Sequence, residues 1–118
     1  MTEVIRSADC GNSPKNARAE DIALALMGVG DLPSELVAEG VTWERPAGAI
    51  TGRDRVLAAI ETGLTRVEVD QVVTHGKAGS VSGRLTRDGE TRLFCHVIRF
   101  TTATQKQIGQ LVSFEHAG

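Results

Sequence analysis

The chain has 118 residues, 41% of them apolar and 24% charged, with a formal net charge of −2. That length suggests a single domain and suffices for one core without metal or disulfide support. Thirteen basic against fifteen acidic side chains leave no mean basic field for phosphate, no apolar run approaches the roughly 20 residues of a spanning helix, and the start MTEVIRSADCGNSPK lacks the apolar stretch of a signal peptide. The expectation is a soluble, cytoplasmic protein with neither a nucleic-acid nor a membrane partner.

Residues 1–12 show no sustained period and read as an N-terminal arm, packed on the body or disordered, ahead of one domain over 13–118. Ser13-Pro14 opens a helix, because Ser can cap free N–H groups and Pro fits the first helical position. The helix is predicted to run to about Met27, with Ala19, Ile22, Ala23 and Leu26 as its buried stripe and Gly28 and Gly30 as its stop. A second short helix is predicted over 33–39, with Leu36 and Val37 inward. Val41-Thr42-Trp43-Glu44-Arg45 then reads as a strand stopped by Pro46, with a short return over 47–50. Thr51-Gly52-Arg53-Asp54 reads as a variant capping box opening a third helix, which carries Leu57, Ile60 and Leu64 and ends near Gly63.

From residue 66 the apolar period changes to two and stays there through four long strands, an antiparallel meander with turns over 75–79, 87–90 and 101–106. Asp88-Gly89 is a favourable turn pair in the second of them. The last two strands are apolar on both faces, whereas an antiparallel sheet with a solvated side alternates cleanly. Helices are expected on one side and a second copy of the chain on part of the other. Cys10 and Cys95 have no partner at metal or redox spacing and read as free thiols, Cys95 as a small buried hydrophobe.

Helix, helix, strand, short strand, helix and four long antiparallel strands is an order that resembles the nuclear transport factor 2-like superfamily, and within it the SnoaL-like branch. The likeness rests on Met27-Gly28-Val29-Gly30-Asp31-Leu32, on Val41 through Gly48, on Ile50-Thr51-Gly52-Arg53-Asp54-Arg55-Val56 and on Val97-Ile98-Arg99-Phe100, which together span most of residues 13–116. Asp9 to Lys15 also resembles the opening of a bacterial subgroup of such domains. The resemblance implies an α+β fold: a cone-shaped, cystatin-like arrangement with three N-terminal helices packed on a curved, mainly antiparallel sheet. It implies a small, largely apolar organic ligand in the mouth of the cone; the doubly apolar strands add the expectation of a homodimer through the sheet face, and the lack of a nucleotide-binding motif that of no cofactor.

Ketosteroid isomerase, a member of that superfamily, offers a residue-level test. Its general-base aspartate corresponds to Arg45 here, its protonated oxyanion-donor aspartate to His96, and its tyrosine donor falls near Ala23 in a chain without any tyrosine. Steroid isomerisation by that route needs a carboxylate base and a donor pair, so it is not expected. The resemblance instead directs Trp43, Arg45, His96, Ser113 and Glu115 to a ligand pocket. On the last strand a slip of one residue would turn Ser113 and Glu115 outward and Val112 and Phe114 inward.

Each of these side chains has two readings. His96 is a catalytic general acid or base if Glu115, Glu44 or Asp70 orients it, in the manner of an isomerase, cyclase, dehydratase or hydrolase; otherwise it is a buried imidazole bonded to backbone or Ser113, or one facing a subunit interface. Arg45 clamps a ligand anion, or pairs with a rim carboxylate such as Asp70. Trp43 is core filler or ligand platform. The rival to a binding pocket is a noncatalytic interaction domain whose cone is filled by Trp43, Phe94, Phe100 and Phe114. His75, His96 and His116 lack the spacing of a metal site, and no glycine-rich phosphate loop precedes a helix.

Overall fold

The computed structural model describes residues 2–8 and 13–117; the Asp9 to Asn12 stretch singled out in the sequence, with Cys10, lies outside the described residues. In chain order the elements are β1 (Glu3–Ile5), α1 (Pro14–Leu26), a 3-10 turn (Ser34–Leu36), β2 (Val37–Arg45), β3 (Gly48–Thr51), α2 (Arg53–Ala58), β4 (Arg66–His75), β5 (Ala78–Arg87), β6 (Glu90–Phe100) and β7 (Ile108–Ala117). The seven strands form one sheet in the order β1-β4-β5-β6-β7-β2-β3. The β4–β7 meander and the β2–β3 hairpin are antiparallel, while β1 joins β4 and β2 joins β7 in parallel.

Helix α1 starts where Ser13 and Pro14 place it: the Ser13 hydroxyl accepts from the Asn16 N–H at 3.2 Å. Its predicted stripe of Ala19, Ile22, Ala23 and Leu26 is buried, as are Leu24 and Ala25, because α1 lies across β4 and β5 while other segments close over its flank. The small side chains permit that close approach; Ala19 Cβ sits 3.3 Å from where a Cβ on Gly79 of β5 would stand.

Among the described residues two α-helices form where three are expected. Residues 33–39 make only one 3-10 turn, because Val37 leaves it to pair with Ile108 of β7 and is completely buried there. A ladder of hydrogen bonds to β7 and two β-branched residues, Val37 and Val41, favour strand over helix, so β2 begins four residues before the predicted strand. Thr51 does not cap α2. Its backbone is paired with Thr42 in the β2–β3 hairpin, and the cap position passes to Gly52 at φ +108°. The helix then lasts six residues and stops well before Gly63, although Leu64 beyond it is still buried.

The N-terminal arm is partly ordered structure. Glu3–Ile5 adds a strand beside Arg66–Glu68, and the Thr2 hydroxyl donates to the Leu64 carbonyl at 2.7 Å. Beyond it, Arg6 pairs with Glu20 and with Asp21, and the Ser7 N–H donates to Glu20 at 2.8 Å. Glu20 is a fully buried carboxylate on α1, and the arm supplies the charge and donors its burial demands.

A bulge between Val69 and Gln71 of β4 shifts the alternation predicted there. Val67 and Val69 face the helices, but Val73, which an unbroken period of two would put on the same face, ends 52% exposed. Across from the bulge stands Gly83, where a Cβ would lie 1.9 Å from the Glu68 carbonyl oxygen, so β5 accepts the bent β4 only through a residue without a side chain. On β6, Phe94, His96, Ile98 and Phe100 face the helices and are buried, while Leu93, Cys95 and Val97 line the opposite, outer face. Cys95 is accordingly half-buried, with its Sγ 3.8 Å from Ser80 Oγ, and is not the fully buried filler expected.

Candidate functional site

Three adjacent strands carry the polar centre of the helix-covered face. Parity along β6 turns His96 inward with Phe94 and Ile98, and the β6–β7 register sets Ser113 directly opposite His96 and Glu115 opposite Phe94. Ser113 and Glu115 therefore point inward, and Val112 and Phe114 outward, which resolves the alternatives left by the sequence. Phe114 is 54% exposed and does not fill the cone. From β2, Trp43 enters beside Leu111 and is nearly buried, and Arg45 follows two residues later on the same face.

Trp43, Arg45, His96, Ser113 and Glu115 line one cleft, together with Met27 at the end of α1, Leu64, Leu85 and Phe94. Its volume is about 180 Å³. An enclosed apolar cavity of about 150 Å³ takes up benzene, so the inner part of this cleft has room for one ring.

The polar groups are tied to one another in two sets. At the floor, Trp43 Nε1 donates to Ser113 Oγ at 2.8 Å, and Ser113 Oγ lies 2.7 Å from His96 Nδ1. His96 Nε2 is buried and has no hydrogen-bond partner among the described residues. Burial pushes the His96 imidazole down to about 4, against a smaller opposing pull from the Glu115 charge, so the ring is neutral near pH 7.

At the mouth, Glu115 accepts from Arg87 Nη1 at 2.7 Å and sits 3.1 Å from Arg92 Nε, while Arg87 also pairs with Glu61. The Arg87 hydrogen bond, with the charges of both arginines, holds the Glu115 carboxyl below the usual carboxylate range. Glu115 is thus an ionised, saturated strut of the rim. Asp70 is paired with Arg84 at 3.2 Å and Glu44 is exposed, so none of the three carboxylates considered as orienting partners for His96 contacts it.

Arg45 stacks near the Trp43 ring, its guanidinium carbon 5.7 Å from the centroid, and its Nε donates to the Gly48 carbonyl at 3.1 Å. Among the described residues it has no carboxylate partner, which leaves the outer edge of its guanidinium available at the cleft. Arg87, Arg92 and Glu61 were not singled out in the sequence. Arg87 continues the inward alternation of Val81, Gly83 and Leu85, and Arg92 that of Phe94 and His96, but their meeting with Glu115 depends on a register that only the folded hairpins define. His75 ends β4 and His116 lies near the end of β7, apart from His96.

No family sequence model matches the chain, and no curated protein matches it by sequence. Solved structures do match. A candidate ketosteroid isomerase from Kribbella flavida aligns over 88% of this chain and 78% of its own, at 20% identity and a TM-score of 0.67. A nuclear transport factor 2-like protein of unknown function from Cytophaga hutchinsonii aligns over 70% of each chain at 16% identity and a TM-score of 0.56. Another such protein, from Burkholderia xenovorans, aligns over 72% of this chain and 68% of its own at 12% identity and a TM-score of 0.60. At these identities the likeness concerns architecture, and the architecture agrees in all three: the chain has the nuclear transport factor 2-like fold.

Proposed function

We propose that this is a SnoaL-like domain whose cleft binds a small, largely apolar organic molecule, and that it works as a homodimer joined through the outer face of the sheet. The observation that carries the binding reading is the convergence of Trp43, Ser113 and His96 on the floor of an otherwise apolar cleft, with the Arg45 guanidinium, which has no carboxylate partner among the described residues, at its edge. An apolar pocket with a few converging polar groups is the usual form of a small-molecule site. The outer face supports the dimer: Leu93, Cys95, Val97 and Val112 form a partly exposed apolar strip that ends at Phe114.

Isomerase, cyclase or dehydratase chemistry is a further step that the site supports less well. A general base works best with a pKa near the operating pH, and an imidazole held at about 4 without a carboxylate behind it is a weak one. The interaction-domain reading, in turn, has lost Phe114 from its filled cone and retains an open cleft.

The chain contains one tryptophan and it lines the cleft, so intrinsic fluorescence reports occupancy directly. Freshly purified protein is expected to carry a small molecule in native mass spectrometry, or to give a saturable Trp43 response to single-ring ketones, phenols and lactones. A clean apo mass together with no saturable response across that series overturns the binding reading.

A further inference from the structure

Strand β2 ends in a charge that the cleft does not use. Arg45 follows Trp43 by two residues on the inward face and pairs with Gly48 across the β2–β3 turn. Its Nε donates to the Gly48 carbonyl at 3.1 Å and its guanidinium carbon lies 5.7 Å from the Trp43 ring centroid. The planar group is thus held at its stem and over one face, while its Nη1 and Nη2 hydrogens have no acceptor among the described residues. The other charges of the cleft are answered in place. Arg87 bonds both Glu61 and Glu115, and Arg92 brings a second guanidinium to Glu115. Glu90, the remaining carboxylate of that network, meets Arg92 from the solvent side, where its charge is screened, and Glu44 is exposed on the opposite face of β2. His96 is neutral near pH 7. Among the described residues lining the cleft, Arg45 is therefore the surplus cation.

We infer that Arg45 is a specificity-determining residue that receives the carboxylate of a single-ring monocarboxylic acid, with the ring in the inner cleft and the carboxylate at its mouth. The inference rests on the ligand-binding reading above and names the substrate class of that site. The inner walls, Leu26, Met27, Leu64, Leu85 and Phe94, offer an organic ring apolar surface. Arg45 itself is half-buried, so an anion beside it keeps part of its hydration, which it would lose on the floor beneath. The two free amino groups form a planar fork that matches the two oxygens of a carboxylate, and the Trp43 and Gly48 contacts fix that fork before a ligand arrives. One fork and one surplus charge suit a monoanion. A phosphate or phosphonate dianion would bring a second negative charge near the ionised Glu115, with no second free cation among the described cleft residues to meet it.

The test uses the full chain and calorimetric titration at pH 7 and low salt with phenylacetate and phenylacetamide, probes of one shape that differ in charge. Phenylacetate is expected to bind about tenfold more tightly, the contribution of a charge-assisted pair at a half-exposed site. Raising the salt to about 0.5 M should narrow the gap. Arg45→Gln should bring the two probes to the same affinity, and Arg45→Lys, which keeps the charge without the fork, should retain only part of the preference. Benzylphosphonate, the dianionic counterpart, is expected to bind no better than phenylacetate. Equal affinities in the parent, a preference that survives Arg45→Gln, or tighter binding of the phosphonate overturns the carboxylate assignment and leaves small-molecule binding intact. Failure of all three probes to bind the parent removes the binding reading and the carboxylate assignment together.

Discussion

The Trp43 indole N–H reaches Ser113 Oγ at 2.8 Å from the neighbouring strand, so the largest side chain of the cleft hangs on a single hydroxyl. The same oxygen serves His96 Nδ1. Ser113→Ala therefore strips a partner from two buried rings while removing only one atom. Unpaired buried polar groups cost about 1–3 kcal/mol each, so the variant should lose roughly 2 kcal/mol or more, read as a lower urea midpoint at pH 7. A midpoint unchanged from the parent would mean that the rings find other partners and that the floor is not the unit described here.

His96 couples stability to acidity. Its pKa is about 4 in the folded protein against 6.5 as an ordinary histidine, so between these values the unfolded chain binds the proton that the folded chain refuses. Stability is then complete above about pH 6.5 and falls as the pH drops toward 4, by on the order of 3 kcal/mol for this group. Glu115, whose charge is felt at His96 without contact, adds a second loss at lower pH: its carboxyl is held below the usual range by Arg87 and Arg92, and its contribution disappears as the pH falls through that depressed value. His96→Phe should flatten the first phase and spare the second. Urea midpoints measured from pH 7.5 down to about 3 cover both phases and decide it, and an identical slope between pH 6.5 and 4 in parent and variant would refute the assignment.

Much of this site could be read from parity. Once Leu93 to Phe100 is taken as a strand buried on both sides, His96 must share a face with Phe94 and Ile98, and Trp43 and Arg45 share theirs with Val41. What parity cannot supply is the offset between strands. The β6–β7 pairing shifts between Arg99 and Phe100, so whether Ser113 or Val112 faces the imidazole depends on a local irregularity and not on composition. The same limit hid the Arg87–Glu115–Arg92 rim. It also explains Val73, which the β4 bulge turns outward, and Glu20, whose partner Arg6 arrives from an arm strand too short to show alternation.

Gly83 tests the bulge directly. A methyl group there would overlap the Glu68 carbonyl at 1.9 Å, a contact with backbone on a paired strand that cannot rotate away. Gly83→Ala should force β4 and β5 apart at Val69 and destabilise the fold by about 2–3 kcal/mol, at the upper end for overpacking. Thermal unfolding of the variant checks this. Full retention of the parent Tm would show that the bulge relaxes without cost.

The outer face provides the remaining prediction. Val97 pairs across the sheet with Val112 on one side and Ser80 on the other, and Cys95 pairs with Phe114, so the centre of this face presents little charge. A carboxylate placed at Val97 would point away from the cleft and from His96, and would leave the core of the domain untouched. If two copies meet on this strip, Val97→Asp buries two like charges near the interface without partners, which is costly enough to dissociate a dimer of ordinary stability. Sedimentation velocity should show a dimer for the parent and a folded monomer for the variant, with the cleft's Trp43 emission unaltered. A parent that sediments as a monomer, or a variant that remains dimeric, would place the partner elsewhere and leave the exposed Phe114 to be explained by another contact.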